Sequence, residues 1–598
     1  MKTFFASLGG AVIGSILGLV LLVLIGTGLI QLAVNDAISS ASGPATGQDD
    51  GNPIVLTLDL RNGYADQAAS SGPDLIFGGG MGFIDVVSKL DAAASDDQVK
   101  GLFIRGSEFG IGSARAEEYR DAFLKFKEAD KFIIAHSQGT YGGGPSAYRA
   151  IASADEIWAQ PGTDLIASGL ALETLFMKGL FDNLSITPEF EALYEYKNAP
   201  STYEEDTYTE PHRRAMTELA ESLWSISLSD IATDRGMTVS EARTSLESSP
   251  MGAEAMVEAN LATSLGWPED ALDAALERAG EDSISFDLNS YEAPTSPFGS
   301  PVIAIVGGQG PIITGNAGGS LFQEGSGFAS DTIAEAILEA GRDEDVQAIV
   351  FRVDSPGGSP SASDQIWRAI ERIQEEEQKP VIVSMASVAA SGGYYVSTGA
   401  DWIIANRTTI TGSIGIFGGK FAIDEGLARI GVNAESIKVG GTFTGAFSTT
   451  EGFTDEQRVM VRSWLKRGYD RFTGLVAEGR GLSLEQVDQV ARGRVWSGED
   501  AIDKGLVDQL GGLTTALAKA KELAEIDAET EVRIIAYPMS AGGLPFLSSS
   551  TSATAQELKA IGQLATAIND PEIQALITEI EAARTSRIQA RLPNFIER

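Results

Sequence analysis

Residues 343–352 read DEDVQAIVFR, and residues 96–105 read DDQVKGLFIR. Each is an acidic turn running into an apolar stretch, the pattern of a buried strand. A second pair follows: ADWIIA at 400–405 and ADEIWA at 154–159. The offsets are 247 (96 to 343) and 246 (154 to 400), so the two matches are nearly collinear. The chain therefore carries an internal repeat. Between the anchors each half alternates strand, glycine loop and helix. Ile366, Ile370 and Ile373 mark a helical face in the second half, and Tyr119, Phe123 and Phe126 mark one in the first. This alternation predicts an α/β fold of parallel β-α-β units.

Working outward, the first half spans 52–280 and the second 301–535. A connector at 281–300 carries Pro294 and Pro297, and Pro301 closes it. Residues 36–51 are rich in Ser, Gly, Ala and Asp and read as a linker. Residues 536–598 form a tail to which no function is assigned. Residues 3–35 carry no charge, and this run is long enough to cross a bilayer. Lys2 precedes it and Asp36, Asp49 and Asp50 follow, so the expectation for 1–35 is an uncleaved single-pass anchor with the bulk of the chain outside the cytoplasm.

The second half holds the stretch that points to chemistry. Residues 381–395 read VIVSMASVAASGGYY: a β-branched strand, a small-residue turn, then Ser391-Gly392-Gly393 at the start of a helix. A serine there meets the free N–H groups of a helix N-terminus. Upstream, Asp354-Ser355-Pro356-Gly357-Gly358 follows another apolar strand. The pair reads as a nucleophile and an oxyanion donor loop, with backbone N–H groups from Gly358 and Gly392.

The repeat also shows what the halves do not share. Opposite Ser391 the first half has Gly144-Pro145, and opposite the DSPGG turn it has Ser107 to Gly112 without the proline. Conversely, Lys197 in YEYKNAPS has its counterpart near Gly441-Thr442, with Lys438 about three residues off register. Complementary losses of this kind predict one composite site shared by both halves.

Composition narrows the base. The 598-residue chain has no cysteine and two histidines, His136 and His212, both read as structural. Thiol nucleophiles and thiolate metal sites are excluded, and a Ser-His-Asp triad would have to use one of those two histidines. A net charge of −39 argues against nucleic-acid binding. A neutral lysine remains as the base. Its free pKa is about 10.4, and work near neutrality needs a drop of about 2–3 units, worth roughly 3–4 kcal/mol. Burial between two domains supplies such a shift. The run Gly415 to Lys420 is superficially like a phosphate loop, but its glycine spacing is wrong and Phe421 stands where Ser or Thr is required.

Taken in order, the apolar N-terminus, the duplicated halves, DSPGG, SVAASGGYY, TGSIGIFGG (411–419) and YEYKNAPS resemble the protease IV family, the long-form bacterial signal peptide peptidases. The resemblance runs from the anchor to about residue 535. It implies two tandem β-α superhelix domains like those of Clp protease and the crotonases. It implies Ser391 as nucleophile, Lys197 as general base, Ser413 as the serine that orients the lysine, and Gly358 in the oxyanion loop. It further implies a bowl-shaped homotetramer that needs no cofactor or metal. That assembly would sit on the bacterial inner membrane, face the periplasm and degrade cleaved signal peptides. One departure is Pro200, two residues beyond Asn198, which bears on the loop around Lys197.

Two other readings stand beside it. A crotonase-type acyl-CoA enzyme would also use paired oxyanion loops, but it predicts a cytoplasmic address, a basic CoA cluster and catalytic carboxylates. An inactive membrane scaffold would leave Ser391 and Lys197 as accidents.

Overall fold

The computed structural model describes residues 51–66, 81–142, 144–292, 299–316 and 328–537. The expected anchor, the linker up to residue 50 and the C-terminal tail beyond residue 537 lie outside them. No helix among the described residues is long and apolar enough to cross a membrane.

Each half is built on a parallel sheet, and the two sheets have one strand order. In the first half the order is Ser264–Leu265, Glu156–Ala159, Phe132–Ser137, Val99–Arg105, Ile54–Asp59, Ile284–Asp287. In the second it is Gln509–Leu510, Trp402–Ala405, Val381–Ala390, Val346–Ser355, Val302–Gln309, Arg533–Tyr537. The quoted repeat anchors are the matching strands Val99–Arg105 and Val346–Ser355. Ile410–Gly412 also pairs with the far end of Val381–Ala390 and with antiparallel Val495–Ser497.

Two segments differ from the sequence reading. Residues 284–287, expected in the connector, form the outermost strand of the first sheet, pairing with Ile54–Thr57. The small-residue stretch after Val383 is not a turn. The strand continues through Ser384 to Ala390 and delivers Ser391 directly to the helix Gly392–Ser397. Small side chains have weak strand propensity, but here they let the neighbouring loop come close.

The second sheet is buried on both faces, as parallel sheets are. Val302, Ala304 and Val306 pack with Ile337, Ile366, Ile370 and Ile373 from the helices Ser330–Arg342 and Pro360–Glu377. Ile303, Ile305, Val350 and Ile382 turn the other way and join the core of the first half. That shared face stacks the halves.

Two further features bind them. Thr187–Ala192 of the first half pairs antiparallel with Phe417–Ala422 of the second. A buried ionic seam runs beside the shared core. Arg352 is fully buried and donates to both carboxylate oxygens of Glu118 at 2.7 Å and to Asp66 at 3.0 Å. Glu117 accepts from Arg149 at 3.0 Å and from Arg407 at 2.9 Å.

Candidate active site

Four short segments meet at one point. The strand Val381–Ala390 ends in Ser391, which precedes the helix Gly392–Ser397 with φ 54° and ψ −116°. That is a conformation a side-chain-bearing residue rarely holds, and it costs about 1–3 kcal/mol. The Ser391 N–H donates to the Gly412 carbonyl at 2.8 Å. Its side chain makes no capping bond to the helix it precedes. A serine at such a junction ordinarily caps. This one leaves its hydroxyl free to face Lys197.

Lys197 comes from the other half. The inter-half ribbon carries the chain from Ala192 into Tyr194 to Asn198 and lays it against residues 413–416. Lys197 Nζ lies 3.0 Å from Ser391 Oγ, 2.9 Å from Ser413 Oγ and 3.0 Å from the Ser413 carbonyl oxygen. Lys197 is 8% exposed. Among the described residues no carboxylate compensates the buried amine, and desolvation pulls its pKa from 10.5 down to about 7. Ser413 itself has φ 51° and donates its N–H to the Arg494 carbonyl at 2.7 Å.

The glycine turn completes the site. Gly357 has φ +104°, and a Cβ there would lie 2.7 Å from the Gly392 nitrogen and 2.8 Å from Ser391 Cβ. A Cβ on Gly392 would lie 3.0 Å from the Gly358 nitrogen. Gly358 and Gly392 are thus adjacent beside Ser391, and only glycine permits that approach. As the first residue of its helix, Gly392 has no intrahelical acceptor for its N–H. Gly393 is packed as tightly, since its Cβ would come within 2.6 Å of the Ser355 carbonyl. The loop is held from behind by Ile312, whose N–H donates to the Gly357 carbonyl at 2.9 Å and whose carbonyl accepts from Ser359 at 2.9 Å.

This arrangement can hand a hydroxyl proton to a neutral amine while two backbone N–H groups stand beside the oxygen that attacks. The other basic candidates are elsewhere. Lys438 pairs with Glu451 at 2.6 Å. His136 and His212 are fully buried, and desolvation holds both well below the usual histidine range, at about 4.

Sequence reasoning missed residues 492–494. The Arg492 carbonyl accepts from Tyr196 at 3.3 Å, and the Gly493 N–H donates to the Ile414 carbonyl at 2.8 Å. A Cβ on Gly493, with φ +85°, would lie 2.5 Å from the Lys197 nitrogen. The signal was a glycine between two arginines just before the strand VWS. Its meaning depends on a contact almost 300 residues away in sequence.

Comparison with known proteins agrees with the duplication. The chain matches the model of peptidase family S49 twice, over residues 125–281 and 373–527. The first match contains Lys197, and the second contains Ser391 and Ser413. The chain is 27% identical over 553 residues to a chloroplastic serine protease SPPA of Arabidopsis thaliana, covering 91% of this chain and 78% of that one. It is 30% identical over 534 residues to Protease 4 of Salmonella typhi, covering 82% of each. It is 31% identical over 478 residues to Protease 4 of Haemophilus influenzae, covering 75% of this chain and 74% of that one.

Proposed function

The chain belongs to peptidase family S49 and is a serine protease, and from that premise we propose that it cleaves peptides with a dyad of Ser391 and Lys197. The observation that carries this reading is the 3.0 Å approach of the Lys197 amine to Ser391 Oγ inside a site that keeps the amine dry.

Lys197 is neutral in the resting enzyme. Its two N–H bonds point at Ser413 Oγ and the Ser413 carbonyl, which leaves the lone pair for the Ser391 hydroxyl. Ser391 Oγ attacks the peptide carbonyl carbon as its proton passes to Nζ. The oxyanion forms beside the N–H groups of Gly358 and Gly392, which bind it more strongly than the ground-state carbonyl. Nζ then returns the proton to the departing amine, leaving an ester on Ser391. Water enters, gives a proton to Nζ and releases the acid, and the proton goes back to Ser391.

The finer parts of the reading follow the family. The two halves form β-α superhelices of the Clp protease and crotonase kind. The uncharged run at 3–35 anchors the chain in the inner membrane with the catalytic halves in the periplasm, and its substrates are apolar remnants of signal peptides. The assembly is a homotetramer. Exposed apolar side chains support self-association: Leu175, Leu180 and Leu184 lie on one segment, and Ile430, Ile437 and Val439 on another. The two segments touch where Arg429 donates to the Asn183 carbonyl at 2.7 Å. Patches of this kind mark protein or membrane interfaces.

The test is labelling by a fluorophosphonate together with hydrolysis of a signal-peptide substrate by the full chain in detergent. Wild type should label and cleave, whereas Ser391→Ala should do neither. Lys197→Ala should fold and stay inert. Cleavage by a folded Lys197→Ala would sink the dyad.

A further inference from the structure

Lys197 and Ser413 belong to different halves, and the dyad works only if both are held in one frame. Residues 492–494 touch both, and the Arg494 side chain has contacts the backbone does not explain. Its guanidinium carbon sits 4.0 Å from the centre of the Trp496 ring and 5.3 Å from the centre of the Tyr196 ring. Trp496 lies on the strand that pairs with Ile410–Gly412, directly before Ser413. Tyr196 is the residue before Lys197. Arg494 also pairs with Glu218, on the long helix Glu210–Asp234 of the first half. Its Nε is buried with no acceptor among the described residues, so aromatic faces surround that part of the fork. A planar guanidinium stacks on rings in a way an ammonium does not.

We propose that Arg494 is a positioning residue, a clamp whose guanidinium ties Tyr196 of the first half to Trp496 of the second and so sets the Lys197 amine against Ser413 and Ser391. The proposal rests on the reading of Lys197 as base. The matching place in the first half carries no such clamp. The strand register places Ser249 where the second half has Arg494, and the Ser249 hydroxyl accepts from Ala167 at 3.0 Å.

Charges around the amine do not confuse the test. Those on the packed elements are engaged: Arg492 with Asp488 and Glu195, Arg494 with Glu218, and Arg214 with the Tyr196 hydroxyl.

The experiment compares wild type with Arg494→Ala, Arg494→Lys, Tyr196→Ala and Tyr196→Phe, with rates normalised to fluorophosphonate-titrated sites. Arg494→Ala should lower kcat by about ten- to a hundredfold with KM nearly unchanged, the scale expected of a small misplacement. The acidic limb of its pH profile should move to higher pH, because a loosened amine meets water. Tyr196→Ala should reproduce both effects. Tyr196→Phe keeps the ring on which Arg494 stacks and loses only the hydroxyl that accepts from Arg214, so it should behave as wild type. Arg494→Lys should remain impaired. If Arg494→Ala does not fold, Arg494→Lys and Tyr196→Ala carry the same test. A wild-type kcat per titrated site with an unmoved acidic limb overturns the clamp. Lys197→Ala run alongside separates the two claims: an active Lys197→Ala removes the base, whereas an inert one beside an unaffected Arg494 series removes only the clamp.

Discussion

Laid over one another by strand order, the two halves of the chain differ most where chemistry would sit. The helix Gly392–Ser397 is preceded by Ser391, whereas its counterpart Ser146–Ile151 is preceded by Pro145. Ser413 follows one short strand, and Ala167 follows the other. Arg352 and Arg105 hold the same place in the repeat. Yet Arg352 is buried against Glu118 and Asp66, while Arg105 is partly exposed and donates to Gln138. The scaffold was kept twice. The first half instead supplies a partner surface and a lysine carried across on the inter-half ribbon.

The largest expected effect tests that division. Ser391→Ala should lower kcat/KM by about a thousandfold or more, over 4 kcal/mol of transition-state stabilisation. Adding Pro145→Ser should restore nothing, because Lys197 lies against Ser391 in the other half and the loop opposite the DSPGG turn, Ser107 to Gly112, lacks that turn's Pro-Gly-Gly. Recovered hydrolysis in the double variant would mean that the first half retains a competent site.

Next in size is the seam. Arg352→Ala takes from Glu118 and Asp66 their buried guanidinium and leaves Arg115 as the cation beside both, and breaking a buried pair of this kind costs up to about 3–5 kcal/mol. Arg105→Ala removes a partly exposed contact and should cost under about 1 kcal/mol. Urea titration of both variants gives the comparison. Equal losses would mean that the seam does not hold the halves together.

A smaller effect is expected at Ser413. Ser413→Ala copies Ala167 into the second half and removes one of the three oxygens around Nζ, leaving the Ser413 carbonyl and Ser391 in place. A loss of about tenfold in kcat/KM, near 1.4 kcal/mol, is expected with little change in KM. The reverse change, Ala167→Ser, should leave the rate alone.

Much of this contrast is legible in the sequence alone. The repeat follows from matching strand patterns, and a missing serine in one half against a missing lysine in the other is visible by offset alone. Three things are not. Strand propensity does not favour Ser384 to Ala390, so their place in a ten-residue strand shows only once Arg352 and the glycine turn pack on them. The φ of Ser391 is imposed by its neighbours and has no signature in a serine. The clamp at 492–494 needs two halves docked before its contacts exist.

An effect of similar size links the lysine to stability and sets the sign of the pH dependence. Burial lowers the Lys197 pKa from 10.5 to about 7. The rate should therefore rise as pH passes upward through about 7, since only the neutral amine accepts the serine proton. Stability follows the same group. Between about 7 and its unfolded value, the unfolded chain binds a proton that the folded chain does not, so the wild-type fold gains stability as pH rises across that window. At and below about 7 the fold carries the full cost of an amine in a dry site. Lys197→Met removes that cost but also loses the bonds to Ser413 and Ser391. At neutral pH the variant should be inert yet more stable by about 1–2 kcal/mol. Its advantage should shrink as pH climbs towards the unfolded value. No advantage at neutral pH, or one that grows with pH, would mean that Lys197 stays protonated in the folded protein. The halves would then meet around an ammonium group, and the base would have to be sought elsewhere.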